Sequence, residues 1–334
     1  MIKRNFLKSI AVATTLYAGL LSATGASEVT LSTQTALPTK HALSQSYIKH
    51  FLTPLNAQGK GIIQLNLLGG PEVTPANRAA QAMQRGVIDV LFIPAAYVAG
   101  VVPEAQAMML QNIGIEKIRK NGAADAYDKI FTNRLQAHLL AWSETGPGSG
   151  YYLYTTKKPP MKDGIVDLKG LTLRTTGAYN PIQKALDATT VSIPSGDVPT
   201  GLQRGIIDGF GWPTVGLKSI GLAKLVKHRI EPSFYNLANV VLISDKKWAS
   251  LSDNARKLIT KVAHEYEIAS VQEMIIQNKA DIAAGDAAGV KKLEMTGDAG
   301  KKYLKIADDA MWSVVGKKVG ADDLKNLRAM LTAN

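Results

Sequence analysis

The stretch "LQRGIIDGFGW", residues 202–212, has a close counterpart earlier in the chain, "MQRGVIDVLF", residues 83–92. Both copies read Gln-Arg-Gly, a β-branched pair, Asp and then apolar residues. Gly86 and Gly205 are suited to the left-handed conformation that commonly ends a helix. Each copy therefore predicts a helix, a glycine stop and a buried strand. Two copies predict two α/β halves, each with a mostly parallel sheet, unless a common helix–strand connection has simply occurred twice by chance.

Residues 1–26 have the pattern of a secretory signal. Lys3, Arg4 and Lys8 precede an apolar run over residues 10–21, and small residues follow up to Ala26. The run is short for a membrane span, although a retained anchor is the alternative. A lipid anchor would need a cysteine, and the chain has none. The sequence thus predicts a soluble exported protein whose signal is cleaved near Ala26.

Charge and composition restrict the classes of partner. The formal charge is +12, and removal of the three basic residues of the signal leaves +9 (12 − 3). Such a charge favours anionic partners. The Lys and Arg residues are spread along helix-like segments without a basic run, which predicts solvated faces and no nucleic-acid partner. The absence of cysteine excludes disulfides, Cys-ligated metals and thiol chemistry.

The two similar stretches, residues 83–92 and 202–212, are called the doubled phrase below. Segments outside it indicate where the chain passes between its halves. The turn-rich stretch "TGPGSG", residues 145–150, is the expected crossing into the second half. A strand near residues 239–244 is the expected return. Residues 252–282 contain neither Pro nor Gly and have a helical apolar period, which predicts one long helix that spans both halves.

The length also favours two domains. After cleavage about 308 residues remain (334 − 26), which is more than one comfortable hydrophobic core requires. The crossings predict a lobe I of residues 27–149 with 238–270. They predict a lobe II of residues 150–237 with 271–334.

No common catalytic, cofactor or metal-binding motif occurs in the sequence. P-loop, GxGxxG, HExxH and EF-hand patterns are all missing. Ser149, in "GPGSGYY", lacks the GxSxG spacing of a hydrolase nucleophile. The histidines are scattered, and His264 is most simply a packing or surface residue. The sequence predicts a protein that is not an enzyme and that carries no cofactor or metal.

Residues 167–213 carry a family resemblance. This segment, "DLKGLTLRTTGAYNPIQKALDATTVSIPSGDVPTGLQRGIIDGFGWP", resembles the core of the solute-binding proteins of TRAP (tripartite ATP-independent periplasmic) transporters. The shared features are a "DLKGLKIR"-like strand that ends in arginine, a helix, and a "LQxGxxDG" helix–strand unit followed by proline. The first half also fits, since "HALSQSYIKHF" resembles the opening helix of that family.

The resemblance implies an α/β periplasmic-binding-protein fold, with two lobes joined by hinge strands and a long helix that spans them. It implies capture of an organic acid in the cleft and delivery to the TRAP membrane permease by a mostly monomeric receptor. The ligand carboxylate usually pairs with the arginine of the "DLKGLKIR" strand, which matches Arg174 here. A guanidinium suits a carboxylate because it donates two parallel hydrogen bonds. The alternative for Arg174 is a structural ion pair.

Trp212 departs from the family pattern, because many relatives read "DGQENP" where this chain reads "DGFGWP". An indole offers a broad apolar face and one donor, although it could instead be a core or rim aromatic. Further candidates lie after strands or near a crossing: Glu72, Tyr97, Ser195, Phe234 and Tyr235.

These candidates predict one carboxylate clamp with an aromatic, partly apolar remainder. A monocarboxylate with an aromatic or hydroxylated body fits this pocket better than a compact dicarboxylate. The uncharged "TGPGSG" loop disfavours a sialic-acid binder, because sialic-acid-type relatives carry a second arginine there. A C4-dicarboxylate binder, a carboxylate receptor of another transport or sensing system, and an exported enzyme on the same fold are the alternatives.

Overall fold

The computed structural model describes residues 28–146 and 148–333. The predicted signal and its cleavage near Ala26 lie outside the described residues. The strands in chain order are β1 (Val29–Thr35), β2 (Ile63–Gly69), β3 (Val90–Pro94), β4 (Ala137–Ser143), β5 (Tyr151–Thr155), β6 (Met161–Lys162), β7 (Ile165–Val166), β8 (Thr172–Thr175), β9 (Thr189–Ser192), β10 (Gly209–Pro213), β11 (His228–Phe234), β12 (Asn239–Ser244) and β13 (Lys291–Glu294).

The α-helices in chain order are α1 (Ala42–Tyr47), α2 (Thr53–Gln58), α3 (Ala76–Gln84), α4 (Ala95–Val98), α5 (Ile115–Lys120), α6 (Ala123–Leu135), α7 (Asn180–Ala185), α8 (Val198–Gln203), α9 (Asp245–Ser250), α10 (Asp253–Ala287), α11 (Gly297–Gly316) and α12 (Ala321–Leu331). A π-helical segment, Ile48–Leu52, joins α1 to α2. Short 3₁₀ segments cover Pro103–Leu110, Ser195–Asp197 and Leu222–Leu225. Of the helices in this part of the chain, none is both long and apolar enough to cross a membrane.

The strands form two larger sheets and one small hairpin. The first sheet has the order β2-β1-β3-β12-β4, and the second has the order β13-β11-β5-β10-β8-β9. The predicted α/β architecture with two sheets is therefore confirmed. Each sheet is mostly parallel, as expected, with one crossing strand that runs against the others: β12 in the first sheet and β5 in the second.

The doubled phrase forms the predicted unit in both sheets. Gly86 has φ of +75° after α3, and Gly205 has φ of +67° after α8. In each copy the glycine N–H and the next residue's N–H bond back to two carbonyls of the last helical turn. This bonding pattern is the Schellman motif, which needs a left-handed residue after the helix. The chain then enters β3 or β10, and each strand ends in a proline that lies at the cleft.

The long helix α10 contacts both halves, as predicted, and continues a few residues beyond the predicted end. Ser252 caps its start by accepting a hydrogen bond from the backbone N–H of Ala255. Its first part lies against β4, where Glu267 accepts from the N–H of Trp142 at 2.6 Å. Near its end, Asp281 accepts from the N–H of Gly216 at 2.9 Å, in the loop that follows β10. The helix therefore ties the first sheet to the pocket loop of the second.

Candidate ligand-binding pocket

A pocket that is partly open to solvent lies between the two sheets. Its walls include the ends of β3 and β10, at Pro94 and Pro213, together with the start of β12 at Asn239. Ligand crevices commonly form at the carboxyl ends of strands in open α/β sheets. The fold therefore places a partly open cleft where both crossing connections meet.

Arg174 lies on β8, with only 2% of its surface exposed. Its Nε donates to the carbonyl oxygen of Ile193 at 3.0 Å. Its guanidinium carbon lies 5.5 Å from the ring centre of Trp212 and 6.0 Å from that of Tyr179. Aromatic faces at these distances attract a cation, so two pocket rings hold the guanidinium in place.

Arg229, the other buried arginine within residues 28–146 and 148–333, and the half-buried Arg119 have carboxylate partners, whereas Arg174 has none among these residues. Arg229 is 1% exposed, and its Nε donates to Glu231 at 2.7 Å. Arg119 donates from Nε to Glu267 at 2.9 Å. A buried charge without a counter-ion is costly. The structural ion pair that was the alternative for Arg174 is therefore not found within residues 28–146 and 148–333.

Trp212 lies on β10, 2% exposed, and its ring lines the pocket. Its Nε1 is buried and has no hydrogen-bond partner in the part of the chain that the structure describes. Gly211 beside it leaves space that the Tyr179 ring occupies, since a Cβ there would lie 2.2 Å from Tyr179 Cγ. The indole thus presents an unused donor at a site surrounded by aromatic rings.

Tyr97 and Ser195 also line the pocket, from α4 and from the 3₁₀ turn before α8, and both are partly exposed. The structure thus brings together four of the seven predicted residues. Their roles toward a ligand stay predictions.

The other three predicted residues lie outside the pocket. Glu72 is exposed, and its Oε1 accepts from the N–H of Gly70 at 2.6 Å, which closes its own loop. Phe234 is 1% exposed and packs edge-on to Tyr235. The hydroxyl of Tyr235 donates to the carbonyl of Ala307 at 2.6 Å. Both rings therefore fill the contact with α11 and do not contribute to the cleft.

His41 is a pocket residue that sequence reasoning missed. It is buried before α1, and its Nδ1 accepts from the N–H of Leu43 at 3.2 Å, as a helix cap. Burial lowers the pKa of His41 to about 4, so the ring is neutral at pH 7 and its proton lies on Nε2. Histidine is a rare capping residue, and nothing in its local sequence marks it as a pocket residue.

Asn239, Tyr151 and Tyr179 were missed as well, and all three line the pocket. Burial raises the pKa of Tyr179 well above its usual value, so its hydroxyl is protonated at neutral pH. With His41 neutral, Arg174 is the cation among the residues that line the pocket. The cleft thus contains one positive charge within a wall of apolar and aromatic side chains.

The profile of the DctP family, described as bacterial extracellular solute-binding protein family 7, matches residues 34–312. The chain belongs to this family. It is therefore a TRAP-type solute-binding receptor and not an enzyme, as the sequence predicted.

Curated relatives and solved structures agree with the family and the fold. A solute-binding protein of Albidiferax ferrireducens is 22% identical over 290 residues, 81% of each chain. A monocarboxylate 2-oxoacid-binding periplasmic protein of Nostoc sp. is 22% identical over 330 residues, 92% of this chain and 88% of the relative. The crystal structure of a TRAP periplasmic solute-binding protein from Desulfovibrio salexigens with bound orotic acid has a TM-score of 0.77 at 17% identity, covering 90% of this DctP-family chain and 98% of that one.

Proposed function

We propose that this DctP-family protein is a periplasmic receptor for an organic monocarboxylate with an aromatic or hydroxylated body. Arg174 pairs with the ligand carboxylate, and the receptor delivers the acid to a TRAP membrane permease. The single observation that carries this proposal is the buried guanidinium of Arg174, which faces the cleft without a carboxylate partner among the described residues. An anionic ligand supplies the missing counter-charge.

The charge of the pocket favours one carboxylate over two. A compact C4-dicarboxylate needs a second cation or several donors at its far end. His41 does not supply that cation at pH 7, because burial lowers its pKa to about 4. The rings of Trp212, Tyr151 and Tyr179 offer apolar faces instead. The relatives that bind a 2-oxoacid or orotic acid support the same ligand class.

The two sheets support the predicted lobes, which remain part of the proposal. The first-sheet strands fall within residues 27–149 and 238–270, and the second-sheet strands fall within 150–237 and 271–334. We infer that the lobes close around the acid by rotation about the crossing strands. X-ray scattering should then show a smaller radius of gyration at saturating ligand than without it.

Calorimetric titration of the wild-type protein tests the ligand class. Aromatic and hydroxylated monocarboxylates should bind with a stoichiometry of one, and the uncharged amide of each acid should not bind. Succinate and malate should bind more weakly than the best monocarboxylate. Equal binding of an acid and its amide would exclude the Arg174 clamp. Tighter binding of the dicarboxylates would replace the monocarboxylate proposal with a C4-dicarboxylate receptor.

A further inference from the structure

The buried carboxyl group of Glu144 lies behind the pocket wall, at the end of β4. It is 0% exposed and accepts four side-chain hydrogen bonds. Its Oε1 accepts from Ser46 Oγ at 2.9 Å and from the hydroxyl of Tyr266. Its Oε2 accepts from Ser143 Oγ and from Asn239 Nδ2, the latter at 3.0 Å. Among these donors, Asn239 is the one that also lines the pocket.

The hydrogen bond to Glu144 determines which end of the Asn239 amide is free. Since Nδ2 donates to the carboxyl, Oδ1 is the end that remains, and it is buried without a hydrogen-bond partner within the described ranges. A flipped amide would place two acceptor oxygens next to each other, which is unfavourable. The free end of Asn239 is therefore an acceptor.

The same orientation is compatible with a protonated Glu144 whose proton lies on Oε1. Burial raises the pKa of Glu144. A proton on Oε1 can be donated to the hydroxyl of Ser46 or of Tyr266, which then act as acceptors. With the proton on Oε1, Oε2 still accepts from Asn239 Nδ2.

Among the side chains that line the pocket, Asn239 offers an oxygen that can only accept, whereas the hydroxyls of Thr176, Ser195 and the three tyrosines can both donate and accept. Arg174 and Trp212 Nε1 can only donate, and His41 donates from Nε2 because its Nδ1 already accepts. A ligand that leaves this buried acceptor unpaired binds with a less favourable free energy than a ligand that donates to it. A ligand with a suitably placed donor avoids that loss.

We propose that the pocket selects acids that carry a hydroxyl or N–H donor, which bonds to Asn239 Oδ1, with Glu144 as the residue that positions the amide. The proposal rests on the proposed carboxylate receptor and adds a second recognition point to it. Hydroxy acids and N–H-bearing acids should bind better than oxo acids or acids without such a group.

Two matched series of acids test this preference by calorimetry. Mandelate, benzoylformate and phenylacetate differ beside the carboxylate, whereas the meta- and para-hydroxyphenylacetates differ from phenylacetate at the far end. In at least one series the hydroxyl-bearing acid should bind about tenfold or more tightly than its donor-free counterpart, since an unpaired buried acceptor costs about 1.4 kcal/mol or more. Asn239→Leu should reduce this ratio to near one. If Asn239→Leu does not fold, Asn239→Ala replaces it.

Variants of Glu144 separate positioning from mere packing. Glu144→Met should remove the preference for hydroxyl over oxo, because the Asn239 amide can then turn either end to the ligand. Glu144→Gln should restore it, because its carbonyl oxygen can still accept from Asn239 Nδ2. A preference that survives both Asn239→Leu and Glu144→Met would overturn the inference.

The outcomes also distinguish this inference from the proposed function. If the acids bind with equal affinity whether or not they carry a donor, the inference is wrong and the carboxylate receptor stands. If no acid of either series binds the wild-type protein, the aromatic-acid receptor fails, and the inference fails with it.

Discussion

The two copies of the doubled phrase begin alike and then diverge, and the divergence creates the pocket. Asp89 accepts from the N–H of Ser32 on β1 at 2.9 Å, and Asp208 accepts from the N–H of Thr172 on β8 at 3.0 Å. Each aspartate also has a lysine partner, Lys247 or Lys157. In both sheets, then, the aspartate holds the neighbouring parallel strand in register.

Beyond the aspartates, the strands that pair with the two copies, β1 and β8, carry side chains of different chemical character. Phe210 on β10 is paired with Arg174, and its counterpart Leu91 on β3 is paired with Gln34. Gln34 is buried and donates to the carbonyl of Thr74 at 2.8 Å. Gln34 in the first sheet and Arg174 in the second thus occupy corresponding positions. The amide of Gln34 is neutral and bonded within the protein, whereas the guanidinium of Arg174 has no carboxylate partner among the described residues.

The strands of the two copies also differ in side-chain volume. β3 reads "VLFIP" and its first four side chains are fully buried, whereas β10 reads "GFGWP". The glycines of β10 let other groups approach the strand closely, the Tyr179 ring at Gly211 and the Tyr154 carbonyl at Gly209. The comparison indicates that both sheets contain the same helix–strand unit. In the first sheet the side chains of β3 fill the space beside the strand, whereas in the second sheet the glycines of β10 leave that space to neighbouring aromatic residues.

The largest expected difference between the copies is in ligand binding. Arg174→Ala should cost about 2–5 kcal/mol of binding free energy, because the ligand anion then loses its partner in a buried site. Arg174→Lys should also bind poorly, since an ammonium cannot donate two parallel hydrogen bonds to a carboxylate. Calorimetry with the best monocarboxylate measures both losses. Arg204→Ala, an exposed arginine of the second copy, is the matched control and should bind like the wild type. Near-wild-type affinity of Arg174→Ala would exclude the clamp.

The second difference is in tolerance of side chains on the strand. Gly211→Ala should destabilise the fold by about 1–3 kcal/mol, because its Cβ would overlap the Tyr179 ring. Denaturant unfolding measures the change. Gly100→Ala is the control, since nothing lies within 4 Å of a Cβ at that position. Equal stability of the two variants would show that Tyr179 moves aside without cost.

Trp212 provides a smaller test, since its counterpart Ile93 is fully buried in the first sheet. Trp212→Phe should reduce affinity for planar acids by about 0.5–1.5 kcal/mol. It should also remove most of the ligand-induced change in tryptophan fluorescence. Trp248→Phe, whose ring lies against His138 away from the pocket, should keep that change. If Trp212→Phe keeps the full change and the same ranking of ligands, Trp212 is a packing residue.

The smallest expected effect concerns the feature that the copies share. Asp89→Asn and Asp208→Asn should each cost about 1 kcal/mol of stability, because each weakens hydrogen bonds to the neighbouring strand. The N–H of Thr172, followed by Lys157, lowers the pKa of Asp208. A carboxyl with a lowered folded pKa stabilises the fold above its unfolded pKa of about 3.9, and loses that contribution as the pH falls through the folded value.

Stability curves measured between pH 7 and pH 2 check this sign. The Asp208→Asn protein should be less stable than the wild type at pH 7 and should approach it at the acid end. A difference that stays constant over the whole range would show that the charge of Asp208 contributes nothing.

The predictable part of this protein lies in its local sequence signals. A glycine after a helix needs a left-handed conformation, and a β-branched pair after it favours a strand, so both helix–strand units could be predicted from residues 83–92 and 202–212. The same holds for most of α10, because residues 252–282 have a helical apolar period and contain neither Pro nor Gly. Family resemblance and strand position together led to Arg174 on β8 and to Trp212 on β10, the strand of the second helix–strand unit.

The tertiary structure determined which of the remaining side chains line the pocket. Glu144 lies 98 positions from Ser46 and 122 from Tyr266, so no local pattern could predict the hydrogen bonds that orient Asn239. Phe234 and Tyr235 have the right chemistry near a crossing, but the docking of α11 covers their rings. Local propensity determines where a strand forms, whereas long-range packing of helices and sheets determines which of its faces is buried and which lines the cleft.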